Sequence, residues 1–568
     1  MMRMIKVCWA VVLLCLAPIS AAAIEPDAPQ GLMQRDDVLP TLVQRHINNL
    51  PQDLKRIDPT DRRAARAYYR SGQRKLLWVS QDGPTEHARN LMAELARAGE
   101  WGLRASDFRL PPVDQFESAW PLDKQVAFEA RTTLAVLRYA RHARGGRIDL
   151  SQMTKEIDRA APLLSPWTVL AGIAESDDPG AFLRGLHPRH PQFHVLRQAY
   201  LEALSGEALS PEVGRATDVR RKDRRKTRRS RKSRRKSASA RRRLSDRLLY
   251  NMEMWRWMPE QLGDTYIWAN IPEFKFRVMG QGRIVHEERM IVGKRSNKTP
   301  MFSDAMETIV INPYWVVPNS IKVKELLPSL LQGGSVLRRK NLRIALGERN
   351  IRPHAIDWSK KDIRNYRVYQ PPGGGNALGR VKFLFPNRHA VYMHDTPTKH
   401  LFKRSARAFS HGCLRVRNPL RFAEVLLQRD RGWDLQHIKG LVKSGPEDNR
   451  VSLNSKVPVH VTYFTAVVTA AGDIEWRKDI YGHERLVKAG LAGKQIAVED
   501  TSSQQNLDQL RRKIIAGRPA ADGDGQLFPS LFGQPEPAAE EQKPKRKRVR
   551  RRKPLREWRR NHLYGSRA

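Results

Sequence analysis

The chain has 568 residues, which leaves room for several domains and a sizeable core, and a formal net charge of +44. That charge is concentrated: residues 220–243 hold sixteen Lys/Arg against one Asp and residues 543–560 twelve against one Glu, together 26 of the 44 net charges. Both runs are of low complexity and nearly free of large apolar residues, which predicts a disordered basic linker over 215–244 and a disordered basic tail over 496–568, and not a folded nucleic-acid-binding surface.

At the start of the chain, Arg3 and Lys6 precede an apolar run over 7–19 that ends in Ser20, Ala21, Ala22 and Ala23. A charged head, a short apolar stretch and an Ala-x-Ala site are the pattern of a cleavable signal peptide over 1–23. The run is too short for a spanning helix, which needs about 20 apolar residues, and no later segment qualifies. Leu14 before Cys15 argues against a lipoprotein site. The expectation is an exported, soluble protein with no transmembrane helix after cleavage. Export argues against nucleic acid as a partner and turns the basic runs toward phosphate-rich envelope polymers or anionic lipid.

From residue 24 to about Gly214 the pattern is helical. Leu91, Met92, Leu95 and Ala98 recur at helical spacing before Gly99 and Gly102, and Val126, Phe128, Leu134, Leu137 and Tyr139 mark a second helix stopping at Gly145 and Gly146. A third pattern covers 167–174, and a fourth with Phe193, Leu196 and Tyr200 follows Pro188 and Pro191. The spacing predicts an α-helical scaffold domain without a catalytic set.

Beyond residue 244 the period changes to two. Strands are predicted over 266–271, over 274–278 and 284–292 around the Gly280-Gln281-Gly282 turn, and over 307–311, 380–385, 389–394 and 457–468. One helix is expected after Asn418 as cap and Pro419 in the first turn, with Phe422, Val425 and Leu426 buried. Residues 245–495 therefore read as a mainly β catalytic domain with a few helices.

Within this domain His394 ends a strand-like run, and nineteen residues on comes Cys413, in the stretch Ser410-His411-Gly412-Cys413-Leu414-Arg415. With Cys8 and Cys15 in the signal peptide, Cys413 is expected to be the only thiol of the mature protein. A free thiol in an exported protein is a hazard unless it is used. A thiol of pKa about 8.5 needs an imidazole or backbone amides to become a nucleophile at neutral pH. His394 is the candidate base. Gly412 permits a tight turn that presents the amides of Gly412 and Cys413 to an oxyanion, and Arg415 is placed to hold a substrate carboxylate or carbonyl. Zinc held by His394, His400, His411 and Cys413 is disfavoured, because their spacing matches no standard ligand pattern; no metal or cofactor is expected.

The segments Tyr392-Met393-His394-Asp395-Thr396-Pro397 and Ala408-Phe409-Ser410-His411-Gly412-Cys413-Leu414-Arg415-Val416 resemble the active-site signature of the L,D-transpeptidases with a YkuD-type catalytic domain. Residues 251–259 (NMEMWRWMP), 291–300 (IVGKRSNKTP), 312–320 (NPYWVVPNS), 375–386 (GNALGRVKFLFP) and 476–482 (WRKDIYG) are similar to the larger Gram-negative members, and 68–79 and 187–196 to their helical scaffold. The resemblance covers roughly 60–205 and 247–483.

It implies a periplasmic cell-wall enzyme in which Cys413 attacks the carbonyl of diaminopimelate in a tetrapeptide stem, releases D-Ala, and passes the acyl group to an amine of a second stem, giving a 3→3 cross-link. By the same resemblance His394 is proton acceptor and donor, while Ser410, His411, Gly412, Arg415 and Tyr392 shape the oxyanion and substrate site. A capping loop would span about 318–378, with Tyr314 and Trp315 at its root. Water as acceptor would make an L,D-carboxypeptidase, and a protein amine a tethering enzyme. No small peptidoglycan-binding module is readable between scaffold and basic run. Asp395 stands where short members usually have Gly, so the group that orients His394 is left open.

Overall fold

The computed structural model describes residues 35–50, 57–70, 76–110, 120–205 and 226–494. The signal peptide over 1–23, the boundary near Gly214 and the tail over 496–568 lie outside the described residues. What is described packs as two compact units.

The first unit comprises the described residues up to 96 with 105–140 and 165–183, and it is helical as the spacing predicts. Pro59–Arg70, Glu86–Ala96, most of Leu122–Gly145, and Pro166–Ala174 are its main helices. Ser165 caps the last of these, its hydroxyl accepting the Thr168 N–H at 3.0 Å, with Pro166 in the first turn where a missing N–H costs nothing. At its centre the buried Glu129 carboxylate accepts the Leu77 and Trp78 N–H groups and the Tyr69 hydroxyl at 2.7–2.8 Å. Burial raises this acid to about 7. Residues 97–104, 141–164 and 184–205 belong instead to the second unit, so the helical region is not one packing unit from end to end.

The basic run differs from expectation in its second half. Lys226–Arg256 is one helix, while 215–225 lie outside the described residues. Its C-terminal part is buried on nearly every side: Leu248, Asn251, Met252, Trp255 and Arg256 are each no more than 2 % exposed. Elongating a helix from such an anchored segment is far easier than nucleating one, and Lys, Arg and Ala are good helix formers. Like-charge repulsion of a few tenths of a kcal/mol per pair does not outweigh that.

The catalytic region is a nine-stranded sheet of which eight strands close into a ring. Its order is Ala408–Ser410, Arg283–Gly293, Leu414–Val416, Met393–His394, Val381–Leu384, Phe302–Ile311, Asn449–Thr462, Thr265–Asn270, Lys275–Gly280, and pairing of the last with Arg283–Gly293 closes the ring. Closure removes the exposed edges that an open sheet would present. The first hairpin turns at Gln281 and Gly282, both with positive φ (48° and 74°), as a two-residue turn of primed type requires. Val391 and Tyr392 do not extend the strand to His394, which is only two residues long.

Pro419–Arg431 packs Phe422, Ala423, Leu426 and Leu427 inward, with Val425 only half-buried. Asn418 does not cap this helix with its side chain; it sits at φ 50° and its amide donates to Glu288.

The expected capping loop is a folded lobe. Trp315–Val316, Arg367–Gln370, Arg343–Leu346 and Arg349–Ile351 form an antiparallel four-stranded sheet in that order. Short helices Asn319–Ile321, Leu327–Leu331 and Val336–Arg339 and a π-helical turn Lys322–Leu326 lie against it. The lobe has its own apolar core, including Leu326, Leu327, Ile344, Trp358, Ile363 and Val368. Enough apolar surface is buried within these 60-odd residues to fold them as a body, which a loop could not do.

Candidate active site

Two neighbouring parallel strands bring the key residues together. Met393 pairs with Leu414 and His394 with Arg415, and the Leu414 N–H donates to the Tyr392 carbonyl at 3.0 Å. The imidazole thus stands at the end of one strand while Cys413 precedes the start of the next. Both line a cavity of about 390 Å³, together with Lys382, Tyr392, His411 and Arg415. A larger cavity, about 690 Å³, is lined by residues including His190 and Trp255; it holds no cysteine, and Cys413 is the only cysteine among the described residues.

The turn before Cys413 is held internally. The Ser410 hydroxyl donates to the Cys413 carbonyl at 2.6 Å and accepts the Gly412 N–H at 3.1 Å, and the Gly412 carbonyl accepts from the Thr299 hydroxyl at 2.8 Å. Gly412 has φ 121°, where a side chain is strained. Its amide is therefore spent on Ser410 and does not face an oxyanion, contrary to the reading from sequence. Ser410, 2 % exposed, shapes the turn. The His411 Nε2 lies against the Glu325 carboxylate of the lobe.

His394 is 5 % exposed, and its Nδ1 hydrogen-bonds the Asp395 backbone carbonyl. A carbonyl only accepts, so Nδ1 carries the proton and Nε2 keeps the basic lone pair. This identifies the orienting group that the sequence left open. The Asp395 carboxylate is directed elsewhere, accepting the Arg380 and Thr396 N–H groups at 2.9 and 2.6 Å and pairing with Lys399. Burial pushes His394 well below the usual imidazole range, with the charges of Arg415, Lys382 and Lys399 adding to the shift against the Asp395 hydrogen bond. At neutral pH the ring is uncharged and able to accept a proton.

Burial raises the Cys413 thiol above its usual value, opposed by hydrogen bonds from Tyr392 and by the charges of Lys382 and Arg415. Tyr392 is itself held protonated, first by burial and then by the charge and hydrogen bond of Cys413, so its hydroxyl is a donor to the sulfur. The Sγ also lies 3.8 Å from the Ala390 carbonyl. Arg415 is 1 % exposed and donates to the Thr398 hydroxyl at 3.2 Å. Set in the wall, it favours the thiolate through its charge. Burial lowers its own pKa to about 10.

Lys382 was not singled out from the sequence, though it lies in the GNALGRVKFLFP segment. It pairs in register with His394 and its ammonium sits 4.2 Å from the Tyr392 ring centre. The alternation of Val381, Lys382 and Phe383 places one polar side chain on the cavity face, a signal that was legible. Trp315, 3 % exposed, belongs to the lobe core while also lining the cavity. Tyr314 lines it too, its hydroxyl bonded to Glu447.

The family model described as L,D-transpeptidase catalytic domain matches residues 264–444, and the one described as Scaffold domain matches 63–199. A relative from Haemophilus influenzae, named as a candidate L,D-transpeptidase, is 32 % identical over 246 residues, which are 43 % of this chain and 49 % of the relative. The match thus spans about half of that relative's length. Among solved structures, an L,D-transpeptidase from Mycobacterium smegmatis is 14 % identical over 35 % of this chain and 58 % of its own, with a TM-score of 0.17. One from Enterococcus faecium is 11 % identical over 36 % and 51 %, with a TM-score of 0.14. Residues 264–444 are a YkuD-type L,D-transpeptidase catalytic domain, and they follow a Scaffold domain in the same chain.

Proposed function

We propose that this chain is an exported peptidoglycan L,D-transpeptidase that works through a thioester on Cys413. The observation that carries the reading is the presence, in the lining of one cavity, of the thiol and of an imidazole whose Nδ1 is fixed by the Asp395 carbonyl.

In the first half-reaction His394 Nε2 takes the thiol proton and the sulfur attacks the carbonyl of diaminopimelate at position three of a tetrapeptide stem. The C–N bond to D-Ala breaks as His394 returns the proton to the departing amine, leaving the thioester. Tyr392, Lys382 and Arg415 stabilise the thiolate while it exists. In the second half-reaction an amine of another stem attacks the thioester, and the sulfur leaves with a proton delivered through His394. Retaining a neutral imidazole suits both directions, since a permanently charged ring could accept nothing.

The signal-like segment over 1–23 supports a periplasmic location, and the basic runs support attraction to anionic envelope polymer or lipid. Binding to isolated sacculi should then weaken steeply with salt, because exposed charges are screened beyond about 8 Å at physiological ionic strength. The reaction itself is tested by incubating purified protein with muropeptide tetrapeptides and resolving products by mass. A dimer with loss of one D-Ala is expected. Tripeptide alone would mean water is the acceptor and the enzyme a carboxypeptidase.

A further inference from the structure

We propose that His389, held by Asp158, is a second proton-handling group of this site: the base that deprotonates the acceptor ammonium before it attacks the thioester. The proposal rests on the transpeptidase reading above and says how that site receives an amine.

Asp158 is rigidly placed although it lies far away in sequence. Ile157 bridges Met301 in parallel, the Asp158 N–H donates to the Met301 carbonyl at 2.9 Å, and the Met301 N–H donates to the Glu156 carbonyl at 2.7 Å. The next residue, Arg159, reaches the Ser303 hydroxyl and the Val461 carbonyl. From this anchored backbone one carboxylate oxygen of Asp158 takes His389 Nε2 at 2.7 Å and the other pairs with Arg388. A carboxylate accepts, so Nε2 carries a proton directed at Asp158.

His389 lines the same cavity as Cys413. Its ring packs on Phe302 with centres 5.4 Å apart. The next residue, Ala390, presents its carbonyl 3.8 Å from the Cys413 sulfur and is held at φ 52°. That conformation is unfavourable for a residue with a Cβ and persists where surrounding bonds enforce it. Here Asn387 enforces it, its side chain bonding the Phe385 and Val391 carbonyls and the His389 and Val391 N–H groups at 2.6–3.1 Å. The loop is therefore a built feature of the wall beside the nucleophile.

His394 feels Arg415, Lys382 and Lys399, charges that repel an arriving ammonium, whereas His389 is backed by the Asp158 carboxylate, which also holds Arg388. Asp448 also lines the cavity but is engaged by Arg450 at 2.9 Å.

The proton balance needs such a group. An acceptor arriving as R–NH3+ and a thioester give an amide, a thiol and one free proton. His389 Nδ1 takes the first proton, and the Asp158 carboxylate stabilises the resulting imidazolium. The neutral amine attacks, the C–N bond forms and the C–S bond breaks. The second nitrogen proton passes through His394 to the sulfur, and His389 releases its proton to water. A water acceptor brings no ammonium proton, so hydrolysis does not need His389.

The test uses the whole protein, a tetrapeptide muropeptide as donor, and two acceptors: a stem carrying a strongly basic primary amine, and hydroxylamine, which is mostly uncharged at neutral pH. His389→Gln should lower transfer to the basic amine relative to hydrolysis by about tenfold or more, as loss of a general base does, while transfer to hydroxylamine relative to hydrolysis stays within about twofold. Asp158→Asn should act in the same sense more weakly. The hydroxylamine arm also reports that the variants are folded and acylate. Equal losses with both acceptors would reduce Asp158 and His389 to a structural tie and overturn the proposal. Wild-type protein that yields only tripeptide with either acceptor refutes the transpeptidase reading itself, a different result from equal losses in the variants.

Discussion

The closed sheet and the lobe over 315–378 face the same cavity but are built differently. In the sheet each reactive side chain is placed by strand register: Lys382 opposite His394, His394 beside Arg415, and Cys413 just before the strand that carries Arg415. Moving one of them means breaking a ladder that closes on itself. The lobe is a separate body with its own core, meeting the nucleophile turn through the His411–Glu325 pair. The proposed chemistry sits on the rigid part, and enclosure of substrate is the role proposed for the part that could shift as a unit.

The sharpest break in this comparison is at the nucleophile. Cys413→Ala should abolish thioester formation with the fold retained, and Cys413→Ser should keep almost nothing, since an alcohol lacks the acidity of a thiol. Intact mass after incubation with donor, or with a carbapenem, reads this directly. Folded wild-type protein showing no adduct would falsify the role of Cys413.

Next in size is His394→Ala, expected to lower the single-turnover acylation rate by roughly 10² or more. The pH dependence follows from the directions of the shifts. His394 is depressed, so it is already uncharged where an ordinary imidazole is half-protonated, and no acidic limb should fall near 6.5. Cys413 is raised, so alkylation of the thiol by iodoacetamide should continue to increase past pH 9. A plateau below that point would mean a thiolate–imidazolium pair at rest.

Two changes then compare the stability of the two bodies. Leu327 is fully buried in the lobe core, and Leu327→Ala should cost about 2–5 kcal/mol. The loss should be local: faster proteolysis within 318–378 while amide protection in the sheet persists. Uniform loss of protection would show that lobe and sheet unfold as one. Gly412→Ala should cost less, on the order of 1–3 kcal/mol, from backbone conformation. An added Cβ there meets nothing closer than 3.7 Å, so the cost is not steric. It should appear as slower acylation more than as a lower melting temperature.

The sheet was legible where its strands are long, over runs of six to fourteen residues, and the site because Ser410 to Arg415 and His394 form a dense motif. The lobe was not legible. Its core residues sit on strands and helices of three to five residues, too short to show a period in any window. The Lys226–Arg256 helix was hidden because composition was read without the apolar anchor at its end. Asp158 and His389 are 231 residues apart, and nothing in either neighbourhood announces the other. The Gly412 amide was misassigned because a tight turn says that an amide is turned, not what it meets.

The smallest expected effect tests whether the lobe acts as a lid. Glu325 lies on a π-helical turn, a rare local form that often marks functional positions, and its carboxylate pairs with His411 on the nucleophile turn, both side chains 16 % exposed. A partly exposed pair of this kind is worth only about 0.2–1 kcal/mol, so Glu325→Gln should leave the melting temperature nearly unchanged. If the pair ties lobe to turn, its loss should raise KM for a stem peptide a few-fold with little change in kcat, because enclosure is weakened while the thiol and imidazole keep their strand register. A fall in kcat at constant KM would instead mean that Glu325 sets the His411 ring, and through it the turn that presents Cys413. The two bodies would then share the chemistry, and the division drawn between a rigid reactive sheet and a separate enclosing lobe would not hold.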